Sequence, residues 1–212
     1  MRKHDSTLKL LRHYTSLPYL LNTLDTKSLW LGDPAKWDDK NDSELVEQYR
    51  CRKKLKKVFA LCLTDCAETY HHWKIYSGGV AGVCILFNAK KLISSIKQVP
   101  GLRMRRLKYE RIDQLESHKA KPNIWPFLKR LPFKGEKEFR FIFDCKKGDT
   151  LNAIPLSFDV HSIECIFMSP WLDFNAIEPI ARAIHKIPDC SAVQVRPTRL
   201  LNSRKWAKTF QK

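Results

Sequence analysis

Period-two alternation is strongest in EKEFRFIFD, where Phe139, Phe141 and Phe143 alternate with Glu136, Glu138 and Arg140. That pattern predicts a strand with its aromatic face turned inward and its charged face turned to a cleft or to water. Apolar stretches over 58–63 and 163–168 predict strands, and the continuous apolar run over 82–87 predicts a buried one. Shorter strands are expected at 8–13, 28–31 and 192–195, and LRMRRLKY after Gly101 suits a charged edge strand. Helical spacing places Leu17, Leu20, Leu21 and Leu24 on one face of a helix ending near Asp25, capped by Thr15 or Ser16 with Pro18 in its first turn. Further helices are predicted over 90–96, over 112–131 with breaks near Pro122 and Pro126, and over 176–186, where Ile177, Ile180, Ala181 and Ile184 form a stripe. TYHHWKIYSGG reads as a helical turn closed by Gly78 and Gly79.

Between these elements, residues 33–47 hold six carboxylates with turn-forming Asp-Pro and Asn-Asp pairs, which predicts a polar loop leading into a helix. That helix carries RCRKKLKK, six basic residues in eight. Short strands separated by helices, without regular βαβ alternation or a glycine-rich phosphate loop, predict an α+β fold and not a doubly wound sheet.

A chain of 212 residues, 43% hydrophobic and 11% aromatic, can build one core, so residues 1–212 are expected to form a single domain. A large multidomain assembly and a wholly disordered chain are both excluded. Lysine and arginine number 39 against 22 acidic residues, a net charge of +17. An excess of that size suits a nucleic acid partner, or else serves solubility alone. The basic residues cluster at 50–57, with Arg52, Lys53 and Lys56, at Arg103, Arg105, Arg106, Lys108 and Arg111, and again at 196–208. Six tryptophans offer stacking surfaces beside them. Seven unpaired-looking cysteines, an N-terminus broken by charges and the absence of a long apolar run predict a cytoplasmic protein with no membrane partner.

Glu136 and Glu138 are the sharpest chemical feature. On a strand, two carboxylates one step apart stand about 6–7 Å from one another. One can stabilise a cation forming at a sugar carbon while the other positions a nucleophile. The alternative is a surface ion pair with Arg140. His13, Tyr14 and Thr15 precede a helix start, where free N–H groups favour an anion. Cys62, Cys66, His71 and His72 lack a standard zinc spacing, so no metal is expected. A metal-dependent nuclease built on Asp33, Asp38, Asp39 and Asp42 is a third reading.

The order of four segments carries a resemblance. An HYTS helix start, an LWL-x-DP strand with its acidic loop, a W-x-x-Y-x(5)-GVCI-x-F stretch and an E-x-E-[FY]-R strand together resemble the bacterial domain-of-unknown-function family 2971 over nearly the whole chain. That family is distantly similar to the ADP-ribosyltransferase fold, in which two small mixed or antiparallel sheets and flanking helices surround a cleft that splits NAD. The resemblance implies that Glu138 holds the nicotinamide ribose and that Glu136 helps the acceptor. It further implies that His13 fixes NAD and that Tyr76 stacks or hydrogen-bonds on the nicotinamide side, with Tyr14, Thr15, Trp73 and Arg140 grouped around the cofactor. It implies NAD as substrate, a nucleic acid or nucleic-acid-bound target, a role as toxin or phage-defence effector, and room for an antitoxin or other protein partner. A Glu138 of that kind is expected to be replaceable without loss of stability. The remaining reading is a non-catalytic basic protein that binds nucleic acid.

Overall fold

The computed structural model describes residues 8–96, 99–118, 120–146 and 152–209. In chain order its elements are β1 (Leu10–Ser16), α1 (Leu17–Thr26), β2 (Ser28–Gly32), α2 (Lys40–Arg52), β3 (Lys57–Thr64), α3 (Tyr70–Tyr76), β4 (Gly82–Asn88), α4 (Ala89–Ile96), β5 (Leu102–Arg106) and β6 (Lys108–Glu110). They continue with α5 (Ile112–His118), β7 (Leu128–Arg130), β8 (Glu138–Cys145), β9 (Ala153–Ser157), β10 (Ile163–Met168), α6 (Ile177–His185), β11 (Val195–Pro197) and α7 (Arg204–Thr209). The architecture is α+β, as the interleaved strands and helices predict. Two compact units share the chain: Met1–Lys27, Ala67–Leu92 and Phe158–Lys212 make one, Ser28–Cys66 and Ile93–Ser157 the other.

The first unit carries the strand order β11-β10-β4-β1. Strands β1 and β4 pair antiparallel from Leu10 opposite Asn88 to Ser16 opposite Gly82, and β10 joins β11 in parallel, so this sheet is mixed. Leu20 and Leu24 of α1 are fully buried, but Leu21 is exposed, because the apolar stripe is narrower than the leucine count suggests. The first strand runs to Ser16, past the expected end at residue 13. Ser16 is the N-cap of α1 but makes no side-chain cap hydrogen bond, while Pro18 sits in the first turn as expected. The last strand begins at Val195 and not at residue 192, since Val193 closes a turn onto the Cys190 carbonyl.

The second unit orders five antiparallel strands as β5-β8-β3-β2-β9, with β6 and β7 as a separate parallel pair. Strand β8 is the axis: it pairs with β3 over eight residues, Lys57 opposite Cys145 through Thr64 opposite Glu138, and with β5 on its other side. Both faces of β8 are covered, so residues 138–142 are all buried. On one face Ile142 joins Val46, Tyr49, Leu55, Val58, Ala60 and Phe127 in an apolar cluster. The helix expected over 112–131 is corrected: α5 stops at His118, Pro122 opens a 3-10 helix over Pro122–Phe127 with Pro126 inside it, and extended residues 128–130 follow. Two prolines without N–H donors cannot continue an α-helix, which accounts for the change.

Candidate functional site

Glu138 opens β8, and its surroundings overturn the expected surface ladder. Glu138 is 6% exposed and Arg140 is 0% exposed. Arg140 Nε donates to Glu138 Oε1 at 2.6 Å and Nη2 to Oε2 at 3.0 Å. The same guanidinium grips Asp42, Nη1 to Oδ1 at 3.0 Å and Nη2 to Oδ2 at 2.7 Å, and Nη1 also reaches the Pro126 carbonyl at 3.0 Å. These bonds engage all five N–H donors of an arginine. Arg140, expected among the cofactor-binding residues, therefore has no donor left for a phosphate. The ring of Trp37 covers the guanidinium, 4.5 Å from centroid to carbon.

Glu136 is also buried, but it ends the 3-10 helix Leu131–Glu136 instead of standing on β8. Lys137, in the left-handed region at φ 45°, turns the chain between the two acids. The strand-step geometry expected for the pair is thus replaced by a turn, and Lys129 brings them together. Its ammonium lies 2.7 Å from Glu136 Oε2, 3.4 Å from Glu138 Oε2 and 3.7 Å from Asp42 Oδ2. Three carboxylates here share two cations, all with side chains at most 8% exposed. Tyr109 accepts the Glu138 backbone N–H at its phenolic oxygen, 2.8 Å away.

Burial alone would raise the Glu138 carboxyl, but the charge and hydrogen bonds of Arg140, followed by the charge of Lys129, outweigh it and hold Glu138 below the usual carboxylate range. For Lys129 burial pulls downward, while Glu138, Glu136 and Asp42 more than compensate and leave it raised. Burial pushes the Cys62 thiol well up, and the neighbouring Glu138 charge pushes it further. The site therefore presents an ionised carboxylate out of water, where its field on a nearby cation is stronger than in solvent.

In the first unit, alternation along β1 directs His13 and Thr15 to one face and Tyr14 to the other. His13 and Thr15 are half-buried. Tyr14 is 8% exposed, stacked on His72 with centroids 5.3 Å apart and edge-on to Trp73 at 5.3 Å. Burial is also what raises the Tyr14 phenol far above its ordinary value. Trp73 is fully buried and donates Nε1 to Glu68 Oε1 at 2.6 Å. Its placement among the cofactor contacts is corrected: a ring packed against Tyr14, Cys84, Phe167 and Trp171 is core. Tyr76 ends α3, is 42% exposed and lies 5.9 Å from the His72 ring. The structure thus groups Tyr14 and Tyr76 around His72, with Trp73 edge-on to Tyr14 and with His13 and Thr15 on the opposite face of their strand from Tyr14.

The basic residues divide into two kinds. Arg103 is locked, with Nη2 donating to Asp144 Oδ1 at 3.0 Å and to the Tyr49 hydroxyl at 2.8 Å, and Nη1 to the Asn123 carbonyl at 2.9 Å. Arg106 Nε donates to Asp65 at 2.6 Å. Arg105 is exposed, over the ring of Phe127, and Arg52, Lys53 and Lys56 are exposed at and beyond the end of α2. Arg103, with its Nη2 hydrogens both engaged, is thus held by the protein itself, unlike Arg105.

The acidic loop has structural duties. Asp33 accepts the Ala35 N–H at 2.9 Å, and Asp39 caps α2 through the Asn41 N–H at 3.1 Å. Among the described residues no group of three or more His, Cys, Asp or Glu is arranged to hold a metal ion. No helix among them is long and apolar enough to cross a membrane. Lys129 was not among the residues expected here, Trp37 was expected only as a stacking surface for nucleic acid and instead covers Arg140, and Asp42 was expected only with a metal. A lone lysine in the short segment 128–130 has no local signature. Asp42 was detectable once Arg140 was placed inside, since a buried guanidinium requires carboxylate partners.

No protein-family model matches the chain and no curated protein does, so the likeness to family 2971 stands on the sequence motifs alone. Solved structures of DarT from Thermus sp. 2.9 do match. The complex with NAD+ aligns at 12% identity and a TM-score of 0.45, covering 91% of this chain and 96% of that one. The complex with carba-NAD+ aligns at 11% and 0.46, covering 91% and 97%. The complex with ADP-ribosylated ssDNA aligns at 12% and 0.48, covering 94% and 98%.

Proposed function

We propose that this protein breaks the bond between nicotinamide and ribose in NAD and transfers ADP-ribose to a nucleic acid or nucleic-acid-bound acceptor. The observation that carries the reading is Glu138, a carboxylate kept ionised at 6% exposure. As the C–N bond breaks, its electron pair leaves with nicotinamide, and positive charge develops at the ribose carbon. A fixed carboxylate in a dry setting stabilises that charge. In this reading Glu136, bound to the same lysine, orients the acceptor nucleophile, whose proton is released as the new bond to the ribose carbon forms. The E-x-E-[FY]-R motif supports the same assignment.

Labelled NAD incubated with the protein and with RNA, DNA and protein acceptors tests this reading. Wild type is expected to release nicotinamide, and Glu138→Gln to lose about 100- to 1000-fold in rate, the usual scale for removing one charge-stabilising group. Absence of both nicotinamide release and transfer by wild type would refute it. Because Glu138 is buried in an ion cluster, its replacement costs stability whatever its role, so the assay is run well below the variant's melting temperature.

A second reading has its own observation. Arg140 occupies both oxygens of Glu138, an arrangement that also serves a purely structural cluster inside a basic nucleic-acid-binding protein. It predicts salt-sensitive oligonucleotide binding with no NAD consumption.

A further inference from the structure

We infer that Asp42 is a positioning residue: it clamps the Arg140 guanidinium so that Nε and Nη2 face Glu138 and fix the direction of that carboxylate. The inference deepens the proposed transferase reading and rests on it for its catalytic consequence.

A guanidinium is planar, and its donors diverge along fixed directions. Arg140 sits on β8 two residues from Glu138, and a flexible three-methylene stem alone would leave its head free to rotate. Four contacts remove that freedom. Asp42 takes the outer edge of the fork through both oxygens, the Pro126 carbonyl takes the second Nη1 hydrogen, Trp37 covers one face, and Glu138 receives what remains. Only Asp42 among these supplies opposite charge from another element. It does so from the first turn of α2, a position set by Asp39, which accepts the Asn41 and Asp42 N–H groups as the helix cap. Asp42 is 5% exposed, so it meets the guanidinium out of bulk water. The order of dependence runs from Asp39 through Asp42 and Arg140 to Glu138. It gives Asp39 and Asp42 a role other than the metal binding that the third sequence reading assigned to them.

The test uses the full chain, with Asp42→Ala and the near-isosteric Asp42→Asn as variants. Its first readout needs no NAD. An arginine Nε–H held at 2.6 Å from a carboxylate in the interior exchanges slowly and resonates downfield in a 1H–15N spectrum. That Arg140 signal is expected in wild type and is expected to weaken or vanish in both Asp42 variants. In the second readout, NAD turnover by Asp42→Asn is expected to fall at least 10-fold in kcat with KM within about threefold of wild type, since the residue acts on the reacting carboxylate and touches no substrate. An Arg140 signal unchanged in folded Asp42→Asn overturns the positioning role, as does an unchanged kcat. If wild type consumes no NAD while the Arg140 signal still depends on Asp42, the transferase reading fails and the clamp stands.

Discussion

Arg140 is the residue on which the second unit's polar interior depends. With five donors engaged and no exposure, its loss would leave Asp42 and Glu138 facing one another with Lys129 as their shared cation. Breaking a buried ion cluster from one side costs about 3–5 kcal/mol. Arg140→Leu is therefore expected to lower unfolding stability by that amount in urea titration, and a loss under about 1 kcal/mol would show that the cluster contributes little. Glu138 adds a pH dependence of definite sign. Its carboxyl is held below its value in the unfolded chain, so its contribution is complete above the unfolded pKa of about 4.5 and is lost as pH falls through the folded value. Wild type should lose stability in acid below about pH 4.5, and Glu138→Gln, weaker at neutral pH, should show a shallower acid limb. Parallel acid limbs would mean that Glu138 carries no such linkage. None of this was legible from hydropathy, which assigns any Glu or Arg on an alternating strand to the outward face. The alternation was right about the aromatics and silent about β8 being covered on both sides.

Among the elements, legibility followed the strength of the local pattern. Strands β3, β4, β8 and β10 announce themselves as runs of Val, Ile, Leu and Phe, and α6 by a stripe in which Ile177, Ala181 and Ile184 are buried. The errors arose where the backbone lacked donors or the apolar signal was short, as at residues 122–131 and at β11. Gly82 shows a constraint that periodicity does not reveal. It opens β4 opposite Ser16, and an added Cβ would stand 2.7 Å from both the Ser77 carbonyl oxygen and the Ser77 Cβ. Ser77 is fully buried and donates its hydroxyl to the Trp73 carbonyl at 2.6 Å, so the neighbour cannot move without disturbing the end of α3. Gly82→Ala is expected to cost about 1–3 kcal/mol through overpacking, read as a lower melting temperature. Gly79, with open space around its Cβ position but φ at +78°, should tolerate a larger side chain only by adopting a strained backbone. A Gly82→Ala variant as stable as wild type would show that Ser77 can shift freely.

For the molecule as a whole, a net charge of +17 says little about binding until the cations are sorted by what already holds them. A guanidinium fixed to carboxylates inside the protein has no fork free for a phosphate, whereas an exposed one can release a counterion when nucleic acid binds. Each phosphate contact contributes about 0.7 to 0.9 to the slope of log affinity against log salt. Exposed Arg105 should accordingly account for about one such unit, and the exposed set Arg52, Lys53 and Lys56 for about two to three. Arg103, bound to Asp144, Tyr49 and Asn123, should behave in the opposite way: Arg103→Ala lowers the melting temperature and leaves the salt slope nearly unchanged. Fluorescence titration of a labelled single-stranded oligonucleotide across 50 to 300 mM salt, roughly the range over which phosphate binding weakens steeply, separates these cases. If Arg105→Ala and Arg103→Ala reduce the slope equally, net charge alone governs the attraction and the internal ion pairs have no say in it. If Arg105→Ala alone does, the pairing pattern inside the second unit decides which part of its surface can take up a polyanion.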